Sequence, residues 1–504
     1  MNKLIRIIRA FDKYKMPHID VLNNKDSTSQ HTQLYRAILD GKVSTDDDAA
    51  KFLFSPAAKK GDQKYRNFKT EFKKRLLNTM LFIDPSHEDF DKYQQVFYEI
   101  HREWMTIKAI YASNMSDLTN PLAEQLLNIV MKHDYTEIVL PLIGNIKFGI
   151  AMTGNKKRYA EYQQLHNHYI ELWLWEIKAK EYADILRMEY VKSAEHKPFM
   201  SDTAKGYFEE LKPAMEKYDA VGLHTYGRVV EIYIYSTVSD YENVLDVVER
   251  ALAFFRSKSF EISGVISLFQ HQKMIALMML KRYTESEKMI EETLSSRVKG
   301  SFNWFTAQES RAFLLFKMHR FTEGYALYTS ITTMAEFKAL PEGMVKEMWV
   351  LFNAYFHVLQ HLGKMPLSTF EEKDKVFKIP KFLNNVSTFC KDKKGMNIVI
   401  LSVEMSFLVA TKQYTDLIKR LESIEKYFDR YAKKDDPYYR FHQFGSLLLE
   451  IPKSNFNRIL TKKNTVELLE NLQSVAFDPV TSVYRGEVMN VEEIWDWLLE
   501  TLKE

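Results

Sequence analysis

Two histidines and a glutamate near the middle of the chain have the residue types of a metal site. His168 and Glu171 lie one helical turn apart, whereas His166 lies on nearly the opposite side of the same predicted helix. A metal ion needs three or four ligands that converge on one point. The spacing therefore predicts no metal site, and packing or surface roles for these side chains.

Three consecutive aspartates, Asp46 to Asp48, also have the chemistry of metal ligands. They follow Ser44 and Thr45. A hydroxyl residue followed by acids is typical of a helix N-terminus, where both satisfy unpaired amide groups. We therefore predict that the aspartates form the first turn of a helix.

The most basic part of the chain is 59–75. An apolar stripe at helical spacing runs along it, formed by Tyr65, Phe68, Phe72 and Leu76. Basic residues clustered on one helix face are the electrostatic footprint of nucleic-acid binding, although a solvated face on a packed helix has the same pattern. The candidate phosphate contacts are Lys64, Arg66, Lys69, Lys73 and Lys74.

Four tryptophans are candidate anchors for a protein partner, because large aromatic side chains dominate binding hot spots: Trp173, Trp175, Trp304 and Trp497. Packing between helices is the alternative role for the first two. In the last predicted helix, which Asn490 is expected to cap, Trp495 lies on the apolar side and Trp497 does not. We predict that Trp495 seals the last repeat and that Trp497 contacts a partner or a second copy.

Linear catalytic motifs are absent. The sequence contains no Ser-His-Asp order, nucleophile elbow, phosphate-binding glycine loop, HExxH or dinucleotide fingerprint. We therefore predict a protein that is not an enzyme and that uses no cofactor and no metal. A helical hydrolase or nuclease with a site assembled from distant residues is the alternative.

The composition is that of a folded, helix-rich protein. Of 504 residues 46% are hydrophobic and 13% aromatic, with only 16 glycines and 13 prolines, which argues against long disordered or β-rich regions. The net charge of +3 gives no protein-wide field that would attract nucleic acid or anionic membranes. An all-α fold is the prediction.

Cysteine content and apolar segments bear on location. A single cysteine, Cys390, excludes an internal disulfide framework and fits a reducing compartment, so we predict a cytoplasmic protein. Arg6 and Arg9 interrupt the apolar N-terminus, which disfavours a secretion signal. The longest apolar stretch, 138–152, is shorter than a bilayer span and contains polar residues. No transmembrane helix and no membrane partner are predicted.

Four short segments share the pattern aromatic-Thr-acid between two runs of helical length, and a looser fifth copy lacks the Thr. The aromatic residues are Tyr135, Tyr241, Tyr283, Phe321 and Tyr414. The three middle copies are spaced about 40 residues apart, a period typical of stacked helix hairpins. Each aromatic is predicted to lie where one helix ends and the next begins, with Thr284 and Thr322 as N-caps. The small residues Ser286 and Gly324 are predicted where two helices approach closely.

In this pattern the chain resembles the tetratricopeptide repeat family, whose hairpins carry an aromatic residue three positions before a small residue at the start of the second helix. The resemblance covers about 121–424. It implies a right-handed superhelical solenoid of stacked helix hairpins. It also implies a concave face that binds peptides or protein segments, without catalysis.

Five regions are predicted along the chain. Residues 1–115 form an N-terminal helical cap domain, 116–365 carry the tetratricopeptide-like repeats, and 366–380 form a linker interrupted by proline. Further helical hairpins occupy 381–475, and 476–504 contain a turn or short hairpin followed by a capping helix.

The sequence predicts a non-catalytic helical-repeat scaffold, adaptor or sensor that binds a protein or peptide on its concave face. A nucleic-acid-associated regulator that uses the basic helix at 59–75 is the second hypothesis, and the helical hydrolase or nuclease is the third. Salt dependence separates the first two, because phosphate contacts weaken steeply as salt rises.

Overall fold

The protein is an all-α helical-repeat solenoid. The computed structural model describes Leu4, Ile8 and the ranges 29–79, 92–112, 116–192, 197–295, 297–340, 343–372, 375–386, 396–431, 439–475 and 486–504. Within these residues there are 23 α-helices and no strand. The predicted all-α class is therefore confirmed, whereas Cys390 and the predicted turn at 478–485 lie outside the described residues.

The chain forms two compact units. Unit 1 comprises Met1–Ile170 and Ser259–Ser263, and unit 2 comprises Glu171–Lys258 and Gly264–Glu504. The division of the chain into five regions, made from the sequence, remains a prediction.

Seven described helices begin within the Met1–Ile170 part of unit 1: α1 (Gln30–Leu39), α2 (Asp46–Leu53), α3 (Gln63–Thr79), α4 (Lys92–Ala112), α5 (Ser116–Lys132), α6 (Thr136–Thr153) and α7 (Lys156–Lys192), the last of which ends in unit 2. Helices α1 to α3 share one apolar core with Leu4 and Ile8. Helices α4 to α6 form a second core. The order of packing follows the order of the chain, since α4 packs on α5 and α5 on α6.

Sixteen further described helices lie in unit 2, apart from Ser263 at the start of α11, which belongs to unit 1: α8 (Lys197–Lys217), α9 (Val221–Ser236), α10 (Tyr241–Arg256), α11 (Ser263–Met279), α12 (Tyr283–Ser295), α13 (Phe302–Lys317), α14 (Phe321–Thr333), α15 (Ala335–Ala339), α16 (Met344–His361), α17 (Ile379–Asn385), α18 (Met396–Ala410), α19 (Tyr414–Tyr431), α20 (Tyr439–Lys453), α21 (Arg458–Asn464), α22 (Val466–Gln473) and α23 (Val491–Thr501). Sequence neighbours such as α8 and α9, α13 and α14, and α19 and α20 pack directly on one another. One large apolar core runs from α11 to α23.

The aspartates of α2 confirm the predicted helix start. Thr45 is the N-cap, its side chain accepts from the Asp48 amide, and the Asp48 carboxylate accepts from the Thr45 amide. This capping box begins one residue later than expected from Ser44. The apolar stripe of α3 is also confirmed, because Tyr65, Phe72 and Leu76 are buried.

Helix α6 is longer than the apolar stretch counted from the sequence. It has 18 residues and a mean hydropathy of 1.2, and by length and composition alone it is the one described helix that could cross a membrane. The apolar count of 138–152 omitted Thr136, Glu137 and Thr153, which extend the helix at its two ends. Its residues Ile138, Leu142 and Ile146 pack in the second core of unit 1.

The repeated aromatic segments are helix-to-helix turns of one geometry. In each turn, the residue one or two positions before the aromatic has a positive φ angle: Asp134 (57°), Ser239 (60°), Lys281 (57°), His319 (56°) and Lys412 (56°). The following amide donates five residues back, as in the 2.9 Å bond from Arg320 N to Leu315 O. This is the Schellman ending of a helix. It makes the aromatic the first residue of the next helix in four of the five turns.

The predicted capping role of Thr284 and Thr322 is therefore wrong. Both lie second in their helices, and the N-cap of α14 is Arg320, without a side-chain capping bond. The close approach predicted at Ser286 and Gly324 is confirmed. Ser286 is fully buried, and a Cβ on Gly324 would lie 3.2 Å from the Phe356 ring.

Within unit 2, a C-terminal clamp joins the segment 487–492 to helices α13 and α20. We define it as Arg440, Glu487, Glu492, Lys317 and Asn490. Arg440 of α20 donates to Glu487 (2.9 Å), to Glu492 (2.7 Å) and to the Leu472 carbonyl (3.2 Å). Lys317 of α13 donates to the Asn490 side chain at 2.8 Å. Asn490 is the predicted N-cap of α23, although its side chain binds Lys317 and makes no capping bond. Trp495 is fully buried, as expected of a seal.

Candidate functional site

A cavity of about 950 Å³ lies between α17, the second half of α18 and the first turns of α19. Helix α18 is buried on all sides, as expected of a core helix that is apolar all round. Helix α19 is amphipathic and buries Leu417, Ile424 and Phe428, which leaves its polar face free to form a cavity wall. Both helices are thereby fixed by the core.

Apolar side chains form much of the cavity wall, including Phe377, Ile379, Phe407 and Leu408. The rings of Phe377 and Phe407 lie 4.8 Å apart. Pockets that bind ligands are commonly of this size, with apolar walls and a few placed polar groups.

The polar group at the centre of this site is Glu404 of α18. Its side chain is only 1% exposed, and one carboxylate oxygen accepts from Arg420 of α19. The other oxygen, Oε2, is buried without a hydrogen-bond partner among the described residues. Burial lowers the pKa of Arg420. A buried acceptor that stays unpaired costs free energy, so a donor from a bound ligand would stabilise this arrangement.

Four basic side chains also line the cavity: Lys378, Lys381, Lys419 and Arg420. Lys419 pairs with Asp416 at 3.0 Å, and Arg420 pairs with Glu404. Lys378 and Lys381 are exposed and have no ion-pair partner among the described residues. Within the described part of the chain, these two positive charges of the cavity are therefore not compensated by an acid.

A smaller cavity of about 250 Å³ shares part of this wall. Phe377, Lys378 and Lys381 line both cavities. The smaller one is also lined by His357, whose ring stacks on Phe370 at 4.5 Å. Burial lowers the pKa of His357 to about 4, so it is neutral at physiological pH. The smaller cavity is also lined by Asn353, whose Oδ1 is buried and unpaired within the described structure.

The four predicted tryptophan anchors lie elsewhere, since none lines either cavity. Trp173 and Trp175 are half-buried on α7, and the Lys178 ammonium lies 5.2 Å above the Trp175 ring. Trp304 is 8% exposed and packs in the main core of unit 2, which leaves little surface for a partner. Trp497 is half-buried, with the Lys364 ammonium 4.7 Å above its ring. Partner binding by these residues stays a prediction.

The five candidate phosphate contacts on α3 fall into two groups. Three have partners within unit 1, because Lys69 pairs with Asp46 at 2.6 Å, Arg66 donates to Gln63 at 2.7 Å, and Lys64 lies 4.8 Å above the Phe54 ring. Burial would raise the pKa of Asp46, but hydrogen bonds from Lys69 and Tyr65 outweigh it and hold the pKa well below its usual range. The other two, Lys73 and Lys74, are exposed.

Glu171, considered above as a metal ligand, pairs with Lys217 of α8 at 2.6 Å. His166 lies 3.4 Å from Lys147, and burial lowers its pKa. No grouping of His, Cys, Asp and Glu that could hold a metal ion occurs among the described residues.

Sequence reasoning missed the residues of the cavity. Lys378 was placed in a linker, and Glu404 was not singled out. One signal was available, because Glu404 is the only charged residue in the apolar segment Met396–Ala410. A lone acid in a helix that is apolar all round must be buried and therefore needs a partner.

No family model, no curated protein and no solved structure matches this chain.

Proposed function

We propose that this protein is a non-catalytic helical-repeat scaffold that binds a protein segment or peptide in the cavity between α17, α18 and α19. The observation that carries the proposal is Glu404, which lines a cavity of about 950 Å³ and has a buried oxygen that is unpaired within the described part of the chain. Helical repeats bind extended partners through surfaces formed by neighbouring repeats. The apolar wall, the free lysines and the acceptor suit recognition of such a segment.

The proposal includes two finer statements. The hairpins are repeats of the tetratricopeptide type, which the aromatic-Thr-acid segments support. The protein acts in the cytoplasm as an adaptor or sensor, which its single cysteine supports.

The test is affinity capture from native lysate with a variant that fills the cavity. Asn384 lines the cavity and is exposed, so Asn384→Trp would occupy the space without removing a charge. Ser423→Trp adds the same side chain at an exposed position of α19 that does not line the cavity. Half of each lysate is treated with nuclease before capture.

We expect the unmodified protein and Ser423→Trp to retain the same protein partner after nuclease treatment, and Asn384→Trp to lose it. Equal retention by Asn384→Trp would exclude the cavity as the binding site. Retention of nucleic acid alone, lost on substitution of Lys73 and Lys74, would favour the nucleic-acid hypothesis instead.

A further inference from the structure

The two cavities of unit 2 meet at a positively charged junction. Phe377, Lys378, Lys381 and Asn385 line both. The two lysines are exposed and unpaired among the described residues, whereas Lys419 and Arg420 are each neutralised by an acid. A ligand that extends between the two cavities would therefore lie beside the ammonium groups of Lys378 and Lys381. These two positive charges favour a negatively charged group on the ligand at this point.

Each cavity is lined by a residue with one buried acceptor oxygen that has no donor among the described residues. In the larger cavity it is Glu404 Oε2, and in the smaller it is Asn353 Oδ1. Glu404 already pairs with Arg420, so its second oxygen needs a neutral donor more than a second cation. Amide N–H groups are donors of this kind, and a peptide backbone supplies them at regular intervals.

The apolar wall of the two cavities indicates which side chains a bound peptide would carry. The Phe377 ring lies 4.8 Å from the Phe407 ring and 4.9 Å from the His357 ring. Flat apolar surfaces of this kind bury aliphatic or aromatic side chains. A phosphate group is less suited to the junction, because bidentate arginine is the preferred phosphate partner and Arg420 is already engaged.

We propose, resting on the proposed peptide-binding function, that Lys378 and Lys381 bind a peptide carboxylate while Glu404 and Asn353 accept hydrogen bonds from the peptide's N–H groups. The carboxylate comes either from the C-terminus of the peptide or from an aspartate or glutamate side chain. The two sources share one chemistry and differ in how they respond to C-terminal amidation.

The experiment uses three libraries of N-acetylated pentapeptides. The first has free C-termini and lacks Asp and Glu, the second is amidated and contains Asp and Glu, and the third is amidated and lacks both acids. Retention on the full-length protein is measured by ultrafiltration and mass spectrometry. We expect retention from the first library if the C-terminus binds, or from the second if a side chain binds, and none from the third.

Substitutions of Lys378, Lys381 and Glu404 test whether the retained peptides bind at the junction of the two cavities. We expect the Lys378→Ala, Lys381→Ala double variant to weaken binding of retained peptides by at least about tenfold. The matched control is Lys462→Ala with Lys463→Ala, which removes the same charge from exposed positions of α21 outside both cavities. Glu404→Gln is also expected to weaken binding by about tenfold, because glutamine keeps one acceptor oxygen for Arg420 and replaces the second by an NH2 donor.

Three results would overturn the inference. Equal retention of the third library would show peptide binding without a carboxylate, so the proposed function would stand and the carboxylate assignment would fail. Unchanged affinity in the double lysine variant would place the anion elsewhere. Failure of all three libraries would also reject the inference. The lysate capture with Asn384→Trp tests the proposed function separately.

Discussion

Two ion pairs of unit 2 that contain an almost fully buried carboxylate differ in how completely that carboxylate is hydrogen-bonded. In the C-terminal clamp, Arg440 donates to two carboxylates and to main-chain carbonyl oxygens. In the cavity, Glu404 has one partner, Arg420, and one oxygen with none among the described residues. Both carboxylates, Glu487 and Glu404, are almost fully buried.

The difference indicates two roles for buried charge. A fully paired network can hold chain segments in place, since each buried group has compensation within the protein. A half-paired carboxylate beside a cavity leaves compensation to a ligand. We therefore assign stability to the clamp and binding to Glu404.

The largest expected effect is on the clamp. Arg440→Met would leave Glu487 buried without its partner, so we expect the free energy of unfolding to fall by about 3–5 kcal/mol. Urea denaturation measures this change. Arg458→Met, at an exposed position of α21, is the control and should change stability by no more than about 0.5 kcal/mol. A loss from Arg440→Met as small as the control's would mean that the clamp contributes little.

A smaller effect is expected when the cavity pair is broken. Glu404→Gln should lower the free energy of unfolding by about 1 kcal/mol, because a neutral amide oxygen accepts a weaker hydrogen bond from Arg420 than a carboxylate does. Arg420 is 38% exposed and can be hydrated once its partner is neutral. The same urea titration gives the value. If the loss equals that of Arg440→Met, Glu404 has a structural role and the comparison fails.

The pH dependence of stability sharpens the description of the clamp. Burial lowers the pKa of Lys317 to about 8 from its ordinary value of 10.5, despite the acids nearby. Between these values the unfolded chain holds a proton that the folded protein has released, so stability rises with pH in this window. We expect Lys317→Met to reduce that rise between pH 8 and 9.5, measured as the difference in urea midpoint from the unmodified protein. An identical rise in both proteins would exclude Lys317 as its source.

The smallest expected effect concerns α3. Lys73→Ala with Lys74→Ala removes two exposed charges, so stability should change by less than about 0.5 kcal/mol. Under the peptide-binding account the variant also retains the captured partner. Loss of the partner, together with a steep salt dependence of binding, would move the function to α3.

The sequence predicted much of the fold because helical periodicity is local. Apolar spacing located α3, and the recurring aromatic segments located the turns. The helix starts were placed too late at Thr284 and Thr322. The preceding helices end at Met279 and Lys317, and the turns that follow contain Lys281 and His319. These two residues adopt positive φ without the glycine that usually signals such an ending.

The cavity could not be predicted in the same way. Its walls come from segments separated along the chain, such as Phe377, Glu404 and Arg420. Which polar atoms remain unpaired depends on how these helices pack, and that is not encoded in periodicity. The lone acid in Met396–Ala410 indicated burial, but it did not identify Arg420 as the partner or the cavity beside it.

Hydrogen exchange tests the central claim most directly. Exchange of backbone amides is measured by mass spectrometry in the unmodified protein, with and without the pentapeptide libraries that contain a carboxylate. Binding in the cavity predicts slower exchange in α17, α18 and the first turns of α19, and unchanged exchange in α20 and α23. Absence of protection in α17 to α19, or equal protection of α20 and α23, would contradict the account.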